Sequence, residues 1–125
     1  MGQKVLIVED NTLNMKLFND VLVANGFTTV QSPTGLDAIE LCTSHRPDLV
    51  ILDIQLPEIS GYEIVKKLRE TPHTAATPVI AITAFAMHED EKKILNAGCD
   101  AYLSKPISVT RFLDCVKHYC MASAA

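Results

Sequence analysis

Two acids, Glu9 and Asp10, follow directly on the aliphatic run VLIV, and a third, Asp53, follows the run LVIL. Thr83 closes a further run, VIAI, and Lys105 follows the shorter AYLS. Each of these side chains stands where an apolar segment ends. Three carboxylates sharing one crevice would raise one another's pKa values unless a cation intervened. A hard, oxygen-only cluster suits Mg2+, which keeps several waters and binds through one or two carboxylates together with phosphate. A carboxylate is also a nucleophile that can form an acyl phosphate. Asp53 is the candidate for that role, with Glu9 and Asp10 holding the metal and the backbone carbonyl of Gln55 completing its shell. The Thr83 hydroxyl can donate to a phosphoryl oxygen, and the Lys105 ammonium, a compact cation, can neutralise it. The three acids alone are equally compatible with unrelated, solvated side chains at loop starts, where carboxylates commonly cap helices. Thr83 and Lys105, at two further segment ends, favour a convergent site. Lys105 could also form a plain salt bridge to Asp53, and in the unmodified protein the two roles are compatible.

Bringing these groups together requires strands that end on one edge. The run over residues 49–53 is unbroken and aliphatic, as in a strand buried on both faces of a parallel sheet, and Pro57 and Gly61 turn the chain after it. Similar runs predict strands over residues 4–8, 78–83 and 101–104, with a weaker one over 28–31. Asn11 or Thr12 caps a first helix that ends at Asn25-Gly26, with Leu17, Phe18, Val21 and Leu22 as its buried stripe. Leu13 and Met15 fall outside that stripe and near the acids. They are either ordinary scattered surface apolar residues or a docking patch for a donor helix. Residues 36–44 predict a second helix with Ala38, Ile39 and Cys42 inward, and residues 58–70 a third with Tyr62, Ile64, Val65 and Leu68 as its apolar positions. Residues 87–97, starting at Met87, predict a fourth, closed by Gly98. Ser108 caps a last helix with Val109, Phe112, Leu113 and Val116 inward, and residues 121–125 form a short tail. This alternation implies an α/β fold, a doubly wound five-stranded parallel sheet of (βα)5 form. In the flavodoxin-like order 2-1-3-4-5, the first and third strands are neighbours at the switch point, where ligands bind beyond the carboxyl ends.

The chain has 125 residues, 48% of them hydrophobic, which fits one domain over residues 1–125 with a real core. No apolar run approaches the ~18 residues of a membrane span. The opening run of about five apolar residues is shorter than the ~7–15 of a signal-peptide core. Gly2 lacks the Ser or Thr that a myristoylation signal needs, since Leu6 stands in that place. These features predict a cytoplasmic protein without a membrane association. The net charge of −4 argues against a nucleic-acid partner, which needs a basic footprint. The four cysteines, Cys42, Cys99, Cys115 and Cys120, form no C-x-x-C pair and read as reduced, small hydrophobes. Cys115, His118 and Cys120 could share a zinc on one helix, but a fourth ligand is missing.

The segments VLIVEDN, LVILDIQLPEISG, PVIAITAFA and AYLSKPIS together resemble the receiver domain of two-component response regulators, over essentially the whole chain. NTLNMKLF and LDIQLPEISG are more narrowly similar to single-domain cell-cycle regulators of the DivK type. The resemblance implies a CheY-like fold with Asp53 as phosphoacceptor. It implies Glu9, Asp10 and the Gln55 carbonyl around Mg2+, with Mn2+ as a substitute, and Thr83 and Lys105 on the phosphoryl group. It further implies a cis Lys105-Pro106 bond and a switch aromatic at Tyr102. Glu9 departs from the commoner Asp, and its longer arm should still reach the metal, directly or through water. The implied partners are a histidine kinase or histidine phosphotransferase and a downstream protein that reads the face of the fourth helix, the Tyr102 strand and the last helix. A monomer or weak dimer without an output domain is expected, acting as a switch rather than a turnover enzyme. The alternative is a receiver-like scaffold that is never phosphorylated, which the complete acid–Thr–Lys set argues against. An aspartate-nucleophile phosphatase would need an acid two residues after Asp53, where Gln55 stands. A nucleotide binder would need a glycine-rich phosphate loop after the first strand, where Glu9 and Asp10 would repel a bare phosphate.

Overall fold

The aliphatic runs become strands because each buries both of its faces. The computed structural model describes residues 3–84 and 88–124. Its strands are β1 (Lys4–Val8), β2 (Thr28–Ser32), β3 (Leu49–Asp53), β4 (Val79–Thr83) and β5 (Ala101–Ser104). They pair in parallel, as the alternation predicts, in the order β2-β1-β3-β4-β5 expected of a flavodoxin-like fold. The helices are α1 (Thr12–Ala24), α2 (Ala38–His45), α3 (Gly61–Glu70), α4 (His88–Asn96) and α5 (Val109–Ala124). Alternate residues of each central strand enter different cores. Leu6, Val8, Val50, Leu52, Val79 and Ala81 face α2, α3 and α4, where Cys42, Ile64, Leu68 and Ile94 close the layer. Val5, Ile7, Leu49, Ile51, Ile80 and Ile82 face α1 and α5, and there Phe18 stacks on Phe112 with ring centroids 4.8 Å apart. No helix of the described residues is long and apolar enough to cross a membrane.

Several helix boundaries and stripes differ from those predicted. In α1 the buried residues are Met15, Phe18 and Leu22, while Leu17 lies 38% exposed. Met15 therefore belongs to the core and not outside the stripe, because α1 sits rotated so that its 15-18-22 row meets the sheet. α2 begins at Ala38, not at residue 36, and Leu36 is exposed. The Asp37 carboxylate is turned back to accept a hydrogen bond from the buried Ser32 hydroxyl. α3 begins at Gly61 and not at residue 58, because the Ser60 hydroxyl accepts from the Tyr62 amide and caps it. Tyr62 is only partly buried there. In α5, Val109 is exposed, and the inward row is Phe112, Val116 and Cys120, with Leu113 half-buried. The helix continues through residues 121–124, the expected tail. β2 gains Ser32 and β4 begins at Val79 rather than residue 78. The expected helix start at Met87 lies outside the described residues.

Candidate functional site

The strand register aligns the reactive residues in one row. Val8 pairs with Leu52, Asp53 with Ile82, and Thr83 with Ser104. Backbone bonds continue the ladder past the strand ends. The Glu9 amide donates to the Ser32 carbonyl (3.2 Å), Ile54 to Ile82 (3.0 Å) and Lys105 to Thr83 (2.8 Å). Glu9, Asp53, Thr83 and Lys105 thus occupy successive strands at the carboxyl edge, at the switch point between β1 and β3.

Glu9 and Asp53 are almost wholly buried, while Asp10 is exposed. One carboxylate oxygen from each of the three acids lies within 4.8 Å of the others. Glu9 Oε2 accepts from the Asn11 amide (3.1 Å), and Asp53 Oδ1 accepts from the Gln55 amide (2.9 Å). The Lys105 ammonium donates to Asp53 Oδ2 at 3.0 Å and stands 3.7 Å from Glu9 Oε1. Burial pushes the Glu9 carboxyl up to about 8, and the neighbouring Asp53 carboxylate adds to that, against the Asn11 amide and Lys105. Burial disfavours the Lys105 charge, yet the hydrogen bond to Asp53 and the charges of Asp53, Glu9 and Asp10 outweigh it, so Lys105 titrates above the usual lysine.

Glu9 Oε1 is buried and has no hydrogen-bond partner among the described residues. A buried acceptor left unsatisfied is costly. An orphaned oxygen, beside two more carboxylates and with no sulfur or nitrogen ligand, fits a hard divalent cation such as Mg2+. Among the described residues no cluster of metal-ligating groups other than Glu9, Asp10 and Asp53 occurs, so Cys115, His118 and Cys120 do not form a zinc site. Cys120 faces the core, whereas His118 is exposed.

The buried Thr83 hydroxyl accepts from Gln55 Nε2 at 3.0 Å, and Gln55 Oε1 accepts from the Ala84 amide at 3.1 Å. Sequence reasoning assigned Gln55 only a backbone role. Its side-chain contacts join positions 28 or more residues apart, and no local pattern signals them. Tyr102 is half-buried against the α2–α3–α4 core. Burial, then the charge and hydrogen bond of Glu91, raise its phenol above the usual tyrosine range. The Lys105-Pro106 bond is cis, as the resemblance implied. Tyr102 and Pro106 line a cavity of about 380 Å3 that runs between β5 and Arg111 of α5. On the other side of the site, Leu13 is 76% exposed, and a cavity of about 400 Å3 is lined by Glu9, Asp10, Thr12 and Met15. Met15 contributes to that cavity from the core rather than as a free surface side chain. Residues 85–87 lie outside the described residues.

A doubly wound sheet with an acidic, lysine-bridged row at its carboxyl edge defines a receiver-type signalling module. The model of the response regulator receiver domain matches residues 5–117, and the chain belongs to that family. It is 53% identical over 119 residues to the polar-differentiation response regulator DivK of Brucella anthropi, covering 95% of this chain and 97% of that relative. The DivK of Brucella ovis is 52% identical over the same shares. Among solved structures, a putative response regulator from Chloroflexus aurantiacus superposes with a TM-score of 0.91 at 27% identity, covering 97% of this chain and 99% of that one. The receiver domain of the sensor histidine kinase PA1611 from Pseudomonas aeruginosa, with a magnesium ion coordinated in its active-site cleft, gives a TM-score of 0.88 at 28% identity over the same shares.

Proposed function

We propose that Asp53 accepts a phosphoryl group from phosphohistidine on a histidine kinase or histidine phosphotransferase, and that the modified chain changes its protein contacts. The observation that carries this reading is the pairing of a buried Asp53 with Lys105 at 3.0 Å inside the three-acid cluster. A carboxylate held by one ammonium and one backbone amide is fixed in position yet keeps lone pairs for attack. Asp53 attacks phosphorus in line. A P–O bond forms as the P–N bond breaks, and the electron pair returns to the donor imidazole. Glu9, Asp10, Asp53 and the Gln55 carbonyl would hold Mg2+, or Mn2+ in its place, which when bound supplies positive charge against the phosphoryl oxygens. Lys105 neutralises the product and Thr83 donates to it. The magnesium in the cleft of the PA1611 receiver supports this assignment by likeness.

Drawing Thr83 toward the phosphoryl group opens room for Tyr102 to turn inward, so the face of α4, β5 and α5 reads out the modification. Leu13 beside the acids serves as a contact for the donor. The likeness to polar-differentiation response regulators supports a place in cell-cycle control, and we assign the chain to the cytoplasm. The protein is consumed as phosphoacceptor in each event and so acts as a switch rather than as a turnover catalyst. The test is incubation with a phosphohistidine donor and Mg2+, followed by intact-mass measurement before and after hydroxylamine, which cleaves acyl phosphates. One hydroxylamine-sensitive phosphate is expected, and none on the Asp53→Asn variant. Equal labelling of that variant would overturn the assignment, and no labelling of the native protein would favour an unmodified scaffold.

A further inference from the structure

We propose that the Gln55 side chain is a positioning residue that holds Thr83 and Ala84, at the end of β4, in their resting place and must let go when Asp53 is phosphorylated. The inference rests on the phosphoacceptor reading and adds to it a restraint that sets how readily the protein switches. Gln55 is two residues past Asp53, and its own amide is tied to Asp53 Oδ1 at 2.9 Å. The base of the side chain is thereby anchored to the reacting carboxylate. Its far end spans to the neighbouring strand and grips two consecutive residues. Nε2 donates to the Thr83 hydroxyl at 3.0 Å, and Oε1 accepts from the Ala84 amide at 3.1 Å. The Ala84 amide can only donate, which fixes the oxygen end of the carboxamide toward it and the nitrogen end toward Thr83.

This is a two-point clamp from one planar group. A single bond to Thr83 would let the hydroxyl swing while keeping its partner. The second bond, to a backbone amide, ties down the chain itself at the point where β4 ends. A phosphoryl group on Asp53 brings strong acceptor oxygens to the same edge, and charge-assisted hydrogen bonds to them are stronger than those between neutral groups. The Ala84 amide has one proton to give, so any shift of Thr83 and Ala84 toward the phosphoryl group is made at the expense of Gln55. The clamp stabilises only the resting state, and a ligand moves such an equilibrium by no more than its differential affinity for the two states. Gln55 is exposed, so its loss opens no cavity in the core.

The test uses beryllofluoride, a stable mimic of the acyl phosphate, titrated with Mg2+ into the full chain and into Gln55→Met, which keeps length and volume and removes both polar ends. Tighter binding of the mimic by the variant, by about fivefold from two partly solvated neutral hydrogen bonds, is expected. Amide hydrogen exchange at Ala84 should speed up in the unliganded variant and match the native protein once the mimic is bound. A merely structural role would lower the unfolding temperature without tightening the mimic. Equal or weaker binding by Gln55→Met, or unchanged exchange at Ala84, overturns the clamp while leaving the phosphoacceptor reading intact. Failure of the native protein to bind the mimic at all removes both.

Discussion

Glu9 is the residue at which metal, proton and stability meet. Its carboxyl is raised from an ordinary 4.5 to about 8, by burial first and by Asp53 second. The folded chain therefore holds this proton more tightly than the unfolded chain does. A carboxyl shifted upward contributes stability that is fully present below 4.5 and is lost as pH rises through about 8. The metal-free protein should lose stability from this group across that window. A divalent cation held by the three acids would need Glu9 ionised, so stabilisation by added Mg2+ should grow over the same window as the proton leaves. Glu9→Gln should flatten the metal-free profile and abolish most of the stabilisation by Mg2+, as read by thermal unfolding across pH with and without the ion. A native profile that does not fall over this window would refute the account. At this scale the sequence was informative about residue types and uninformative about their partners. Asp53, Thr83 and Lys105 were legible because each terminates an apolar run, and strand ends in a parallel sheet share one edge. The orphaned Glu9 oxygen and the Gln55 clamp were not legible, since both depend on how far side chains reach between strands.

Among the elements, strands were more readable than helix ends. β1, β3 and β4 are continuous aliphatic runs, and burial on both faces leaves such a run few alternatives. Helix boundaries depend instead on single caps and on close tertiary contacts. α3 shows both. Ser60 caps it, and Gly61 packs so near β3 that a Cβ there would stand 2.7 Å from Ile54 Cα and 3.0 Å from the Asp53 carbonyl oxygen. That contact explains why the helix starts at Gly61 and not three residues earlier, where the chain is still turning around Pro57. Gly61→Ala would force the backbone of Asp53 and Ile54 aside. Overpacking of this kind costs about 1–3 kcal/mol, and a lowered denaturant midpoint with an unchanged m-value is the expected reading. Because the displaced backbone carries Asp53, phosphorylation by a donor should slow as well. A variant of native stability would show that the β3–α3 junction yields more easily than these distances imply. α1 is the converse case. The stripe expected from sequence was Leu17, Phe18, Val21 and Leu22, whereas against the sheet α1 buries Met15, Phe18 and Leu22, and Phe18 meets Phe112 of α5.

For the molecule as a whole, the sheet edge separates two surfaces lined by different residues. The acids open toward α1 and the cavity lined by Glu9, Asp10 and Thr12, whereas Tyr102 and Pro106 open toward α5. In the proposed phosphotransfer the donor approaches from the first side, and a partner that reads the result uses the second. Among the described residues, Leu13 is the large apolar side chain most exposed beside the acids, with 76% of its surface open, and it lies one residue inside α1. Full burial of a leucine contributes roughly 1.5–3 kcal/mol, enough to matter in a transient encounter. Leu13→Asp removes that contribution and places a further negative charge next to Asp10. Phosphoramidate, a small donor that needs no docking surface, supplies the reference rate for the chemistry at Asp53. The ratio of the protein-donor rate to the phosphoramidate rate should fall about tenfold in the variant, the change that about 1.4 kcal/mol produces. An unchanged ratio would place donor docking elsewhere on the molecule. An equal fall in both rates would instead mean that the start of α1 shapes the acidic site itself, through the Asn11 amide that holds Glu9.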